Sequence, residues 1–380
     1  PEVKVADPVF NAQKIIELAR RAAKQKAIMA IFPEMGLSAY SNEDLFHQDA
    51  LLLGVRKAIA EIQKASAKIN MIMIVGAPLQ VDCRLFNCAV VFYRGHIMGV
   101  AVKSYLPNYR EFYEGRQFTP ASAAFSSTID LAGQKDIPFG ADIIFHVTNI
   151  KNFSFFIEIC EDLWVPIPPS SFAAMAGATI IGNLSASNIT IGKSEYRQQL
   201  AANQSARCVA AYLYAAAGAG ESTTDLAWDG HAMIHENGNL LAESSRFSQQ
   251  AQIIHGDIDL DRLAQDRMRL TSFSKNAATH KDKILSFRKI EFDVSLPGGT
   301  ILLKRDYPRF PYIPADPSKR DQRCYEAYNI QVQGLAKRLK SSGIPHIAIG
   351  ISGGLDSTHA LIVAAKTMDL LKWPRANIKA

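Results

Sequence analysis

FFIEICEDLWVP, residues 155–166, reads as an apolar strand that stops at a cysteine. Residues 153–159 form the strand, and Cys160 opens the loop after it. Short buried strands of the same kind recur on both sides, at 27–32, 71–77, 142–148, 179–183 and 212–216, with a last one at 252–258. Helical periodicity separates them, at 11–26, where Asn11 is a plausible cap, and at 51–69, 172–177 and 194–211. Residues 86–93 and 97–102 read as a hairpin around Arg94-Gly95, and 231–235 and 239–243 as a second around Asn237-Gly238. Helices alternating with buried strands, plus a few hairpins, imply an α/β layered domain.

The 380 residues suggest two or more domains, and a 48% hydrophobic fraction is ample for a sizeable core. The net charge of +6 suits an anionic substrate. The basic residues are dispersed, and no stripe with interleaved aromatics argues for nucleic acid. No apolar run approaches the ~18 residues of a membrane span, and no signal peptide is visible. Five cysteines, an odd number with no paired framework, read as free thiols in a reducing, cytoplasmic setting. The chain begins at Pro1 without Met and stops barely past one strand–helix step, so a piece of a larger enzyme is expected.

Past about Asp261 charges rise and periodicity fades; LPGGTILL and YPRFPYIPADPSKRDQR follow, rich in Pro and charge. The expected division is a first domain at 1–275, a surface linker at 276–323 and a second domain from 324, opened by a helix at 324–340. HIAIGISGGLDS, residues 346–357, then runs from an apolar strand through a Gly-rich turn into a helix. Backbone N–H groups in such a turn favour an anion. Gly353 and Gly354 let the backbone approach a phosphate, Ser352 and Ser357 offer hydroxyls, and Asp356 offers a carboxylate oxygen to magnesium. The lysine of the GxxxxGK[ST] loop is missing. The turn resembles the SGGxDS loop of ATP pyrophosphatases, which implies ATP contacts at Gly350, Ile351, Ser352, Gly353, Gly354, Leu355, Asp356 and Ser357.

The first domain carries polar residues where strands meet loops, the usual rim for a ligand site. Glu34 follows a strand in IFPEMGLSAY, Lys103 ends one in VAVKSYLPNYREFYE, and Cys160 ends a third. A cysteine, a glutamate and a lysine together make a thiol amidohydrolase: nucleophile, proton carrier and oxyanion partner. Taken singly, such a cysteine is usually a small core residue, and such a glutamate or lysine is usually solvated. Spacing does not prove that the three converge.

These three segments resemble the nitrilase superfamily, which implies a Glu–Lys–Cys triad in an αββα sandwich. EICEDLWVP, LPNYREFYE, NLSASNITIGKSEYR and ESTTDLAWDGHAMI are similar to the glutaminase domain of glutamine-dependent NAD synthetases. The phosphate loop lies where that family begins its doubly wound synthetase domain. The resemblance implies Glu34 as general base, Lys103 as oxyanion stabiliser, Cys160 as nucleophile and Glu114 as the glutamate that orients the lysine. It implies glutamine contacts at Tyr109, Ser187 and Lys193, and the Glu161 amide in the oxyanion hole. Some relatives have arginine where Lys193 stands, so a point charge replaces a planar fork. Glutamine, ATP with magnesium, and deamido-NAD are the implied substrates, with no tightly bound organic cofactor. An ammonia tunnel and a large homo-oligomer are implied as well.

A stand-alone nitrilase-type amidase or carbamoylase explains the triad but leaves the phosphate loop idle. A non-catalytic scaffold leaves the filled triad positions unexplained. HAMIH lacks the HExxH zinc pattern, and Cys83 and Cys88 lack a second thiol pair, so no metal or disulfide is expected at either. Cys208 reads as packing. The Ala/Gly run 215–220 lacks GxGxxG spacing and reads as a site of close backbone packing.

Overall fold

Met71, Met73 and Val75 bury one side of a strand while Ile72 and Ile74 bury the other. A strand apolar on both faces needs cover on both, and this requirement sets the architecture. In this computed structural model, residues 1–307, 309–310, 312–314 and 316–380 are described. Pro308, Pro311 and Ala315 of the expected linker lie outside the described residues.

The first sheet holds β1 (Met29–Ile31), β2 (Ile72–Val81), β3 (Arg84–Tyr93), β4 (His96–Val102), β5 (Thr128–Leu131) and β6 (Gln134–Gly140), in the order β1-β2-β3-β4-β6-β5. The second holds β7 (Ile143–Val147), β8 (Ser154–Ile159), β9 (Ile180–Ser185), β10 (Ala211–Ala216), β11 (Ala232–Glu236), β12 (Asn239–Glu243) and β13 (Arg288–Phe292), in the order β12-β11-β10-β9-β8-β7-β13. Ile72, Ile74 and Val91 of the first sheet pack on Phe145, Phe155 and Ile157 of the second. Helices α1 (Pro8–Lys24) and α2 (Asp49–Ser66) cover the outer face of the first sheet through Ile15, Leu18, Val55 and Ile59. Helices α3 (Pro169–Met175) and α4 (Lys193–Cys208) cover the second through Ala173 and Ala201. The layers run helix, sheet, sheet, helix: the nitrilase-like sandwich expected from the motifs.

Some local expectations fail for identifiable reasons. Asn11 does not cap α1. Asp7 does, its Oδ1 accepting from Phe10 N–H at 3.0 Å, with Pro8 in the first turn, where a missing N–H costs nothing. Asn11 is fully buried one turn on, donating to the carbonyls of Lys4 (2.9 Å) and Leu37 (3.1 Å). Residues 252–258 form no strand. The β5–β6 hairpin was not expected; its polar stretch carries little apolar alternation. The Ala/Gly run packs backbone on backbone: a Cβ at Gly220 (φ +96°) would lie 1.8 Å from the Val3 carbonyl oxygen.

The chain divides into two compact units, Pro1–Arg305 and Asp306–Ala380. Helices α5 (Leu260–Arg269), α6 (Thr271–Thr279) and α7 (Lys281–Leu285) and β13 belong to the first. Much of the 276–292 stretch therefore has regular structure, and β13 extends the second sheet beside β7. The second unit holds α8 (Pro317–Ser342), β14 (Ile347–Ala348), α9 (Leu355–Leu371) and β15 (Ile378–Lys379). Its two short strands are parallel and α9 joins them, one step of a doubly wound sheet. Val332, Ala336 and Leu339 of α8 and Val363, Ala364 and Met368 of α9 are buried.

Candidate active site

Strand β8 ends at Ile159, and a single 3-10 turn, Cys160–Leu163, follows at once. Cys160 takes φ +44°, a left-handed conformation that costs an L-residue about 1–2 kcal/mol. The parallel register pairs Ile159 with Leu184, which brings Cys160 beside Ser185 at the end of β9. Ser185 Oγ lies 3.2 Å from Cys160 Sγ and 2.7 Å from the Tyr214 hydroxyl.

Glu34 lies in the loop after β1, on the same rim. Gly76 of β2 admits this loop, since a Cβ there would lie 2.4 Å from Met35 N. The Glu34 N–H donates to the Ser185 carbonyl at 3.3 Å. Its Oε1 accepts from Asn87 Nδ2 at 2.6 Å and from Lys103 Nζ at 2.7 Å. Its Oε2 is buried with no hydrogen-bond partner among the described residues.

Lys103 follows β4 and is fully buried. Nζ donates to Glu34 Oε1, and to Glu114 at 2.7 and 2.9 Å. Burial works against its charge, but Glu114 and Glu34 hold the ammonium well above the ordinary lysine range. Glu114 also accepts from the Tyr40 hydroxyl at 2.7 Å, and burial raises its carboxyl. Burial and the nearby Glu34 charge push the Cys160 thiol up; Lys103 and Ser185 pull the other way. The resting sulfur therefore keeps its proton and needs a base to lose it.

Asp162 ties the elements together. Its buried carboxylate accepts from the N–H groups of Ile159 (3.0 Å), Ser104 (3.1 Å) and Tyr105 (2.9 Å). It thus links the cysteine turn to the residues just past Lys103. Burial pushes this carboxyl up to about 8.

A polar wall flanks the thiol. The Tyr109 hydroxyl donates to both Glu161 carboxylate oxygens, at 2.9 and 3.1 Å. Lys193 Nζ bonds Asn188 Oδ1 and sits 5.3 Å from the Trp164 ring centroid and 5.4 Å from that of Phe112. Burial lowers its ammonium. Ser187 is buried, and the buried Arg197 guanidinium donates to the carbonyls of Ser187 (3.3 Å) and Asn188 (3.1 Å) while pairing with Asp229 at 2.9 Å.

Of the residues singled out from sequence, Glu34, Lys103 and Glu114 meet directly. Cys160 lies within electrostatic reach of all three. Tyr109, Glu161, Ser187 and Lys193 stand along the wall. Tyr40, Asn87, Asp162, Ser185, Tyr214 and Arg197 were missed. Ser185, Asp162 and Arg197 sit inside stretches whose likeness was noted, but nothing in spacing separates them from their neighbours.

Gly350–Ser357 lies in the second unit and runs from β14 into α9. Gly353 takes φ +80°, and Gly354, the N-cap residue of α9, donates its N–H to Ser352 Oγ at 3.4 Å. Ser352 and Ser357 are linked through their hydroxyls at 3.3 Å. Ile351 and Leu355 are exposed, and Asp356 lies in the first turn of α9.

Residues 2–268 match the Carbon-nitrogen hydrolase family. The chain belongs to that family. It is also 50% identical over 376 residues to a protein of Mycobacterium bovis called glutamine-dependent NAD(+) synthetase, covering 99% of this chain and 55% of that protein. The chain spans about half the length of the curated relatives it matches. A glutamine-dependent NAD(+) synthetase from Cytophaga hutchinsonii superposes with a TM-score of 0.57 at 26% identity, covering 65% of this chain and 40% of that one. A carbon-nitrogen hydrolase from Helicobacter pylori superposes at 0.58 and 17% identity, covering 75% and 96%. This second likeness speaks to the fold alone. Within this carbon-nitrogen hydrolase, no helix of the described residues is long and apolar enough to cross a membrane. No group of three or more metal-ligating side chains occurs among them either.

Proposed function

We propose that this carbon-nitrogen hydrolase cleaves the side-chain amide of glutamine and that the ammonia serves ATP-dependent amidation of deamido-NAD to NAD. One observation carries the first half: Glu34 keeps one buried oxygen free while Lys103 and Asn87 occupy the other, within electrostatic reach of a protonated Cys160. Glu34 Oε2 takes the thiol proton as sulfur attacks the amide carbon. Lys103 Nζ and the Glu161 N–H, at the start of the 3-10 turn, stabilise the oxygen that becomes negative. Glu34 returns the proton to the leaving nitrogen, and ammonia departs. Water, deprotonated by Glu34, then releases glutamate from the thioester. Glu114 and Tyr40 hold Lys103 in place. Tyr109, Ser187 and Lys193 receive the α-amino and α-carboxylate groups.

The second half rests on the phosphate loop and on the likeness to the mycobacterial synthetase. ATP adenylylates the nicotinate carboxylate and releases pyrophosphate; ammonia displaces AMP. The N–H groups of the first turn of α9, just past Gly354, suit a phosphate. Magnesium fits a single carboxylate, Asp356, completed by phosphate oxygens, where it would neutralise phosphate charge. A cytoplasmic setting and a large homo-oligomer belong to the same reading. A stand-alone amidase would leave Gly350–Ser357 without a task.

Ammonia release from glutamine, asparagine and simple aliphatic amides tests the reading. Glutamine is expected to be cleaved at least about a hundredfold faster in kcat/KM, a discrimination within reach of a site built on paired polar contacts. Preference for an aliphatic amide would overturn it.

A further inference from the structure

The hydroxyl of Ser185 has three polar neighbours. A hydroxyl carries one proton and two lone pairs. Ser185 Oγ accepts from the Ser187 N–H at 3.3 Å and faces the Tyr214 hydroxyl at 2.7 Å. Its third neighbour is Cys160 Sγ at 3.2 Å. A phenol is intrinsically a stronger donor than an alcohol, and although burial works against ionising Tyr214, the Arg197 guanidinium, 5.9 Å from its ring centroid, offsets part of that, so we take Tyr214 as the donor. With Tyr214 donating to Ser185, both lone pairs are filled, and the one Ser185 proton points at sulfur. The same residue accepts the Glu34 N–H on its backbone carbonyl. All these groups are buried.

We propose that Ser185 is a catalytic residue that donates a hydrogen bond to the Cys160 sulfur as it becomes a thiolate, with Tyr214 fixing the direction of that bond. This rests on Cys160 being the nucleophile. While sulfur is protonated the bond is weak; once Glu34 has taken the proton, the bond is charge-assisted and about twice as strong. The gain therefore falls on the reacting state. Lys103 is already shared between two carboxylates, which leaves Ser185 as a neutral donor to sulfur that no acid competes for.

The test reads the thiol itself. The rate at which iodoacetamide alkylates Cys160 is followed against pH by the mass of the Cys160 peptide, since four other thiols are present. In Ser185→Ala the midpoint is expected to rise by about one pH unit, a tenfold loss of thiolate at a given pH. Tyr214→Phe keeps Ser185 but frees its proton to turn away, and a smaller rise is expected. Ser185→Thr, which keeps the hydroxyl, restores the midpoint. A residue that only supports the backbone would leave it unmoved. Unchanged midpoints in Ser185→Ala and Tyr214→Phe overturn the proposal, and if Ser185→Ala does not fold, Tyr214→Phe decides alone. Because alkylation needs no glutamine, a chain that shifts its midpoint yet cleaves no glutamine refutes the substrate reading and leaves this proposal standing.

Discussion

Lys103 Nζ sits between two carboxylates with no exposure to solvent. A buried ammonium is costly unless paired, and here two acids compensate one base. On the proposed reading Glu114 has a task separate from Glu34, to keep Lys103 charged and aimed. Replacing Glu114 with Gln leaves Lys103 with one full partner, and a fall in kcat of about a hundredfold with little change in KM is expected in steady-state ammonia release. An unchanged kcat would remove Glu114 from the machinery. At this scale the sequence was partly legible. Glu34, Lys103 and Cys160 each stand at a strand end within a distinctive stretch. Asn87, Tyr40 and Asp162 act through contacts between distant segments, such as Asp162 with Ser104 and Tyr105, and no local pattern marks them.

The elements translate strand pairing into site geometry. Parallel pairing of β8 with β9 puts Cys160 beside Ser185, and Gly76 lets the Glu34 loop cross β2. Strand β11 makes a different point. His235 is buried on it and His231 just before it, each with an Nδ1 lacking a partner among the described residues. Burial holds His235 down to about 4, and nearby His231 adds to this against the pull of Glu243. The unfolded imidazole protonates near 6.5. Stability from a neutral His235 is thus present above pH 6.5 and lost as the pH falls through 4. Urea midpoints at pH 7 and pH 4.5 measure this: the drop between them is expected to be smaller in His235→Gln, and an equal drop would contradict it. Element type was legible where apolar periodicity was strong, as in β2, β3 and α2. It failed at 252–258, whose apolar residues pack from irregular chain, and at β13, whose Arg288, Lys289 and Glu291 hide a sheet strand within a charged stretch.

For the whole molecule, alternating helices and buried strands made an α/β layered domain legible, while the helix–sheet–sheet–helix order came from the resemblance to the nitrilase superfamily. The second unit was legible through one loop, since a Gly-rich turn between strand and helix states its own geometry. Which residues would contact deamido-NAD had no such signal. The central claim concerns the first unit: one buried sulfur, activated by Glu34 and assisted by Lys103, breaks the glutamine amide. The most direct measurement is ammonia release from glutamine by Cys160→Ala, checked for an unchanged thermal midpoint. A loss of at least about a thousandfold is expected, the scale seen when a sole nucleophile is removed; glutamine cleavage within tenfold of the unsubstituted chain would contradict the account.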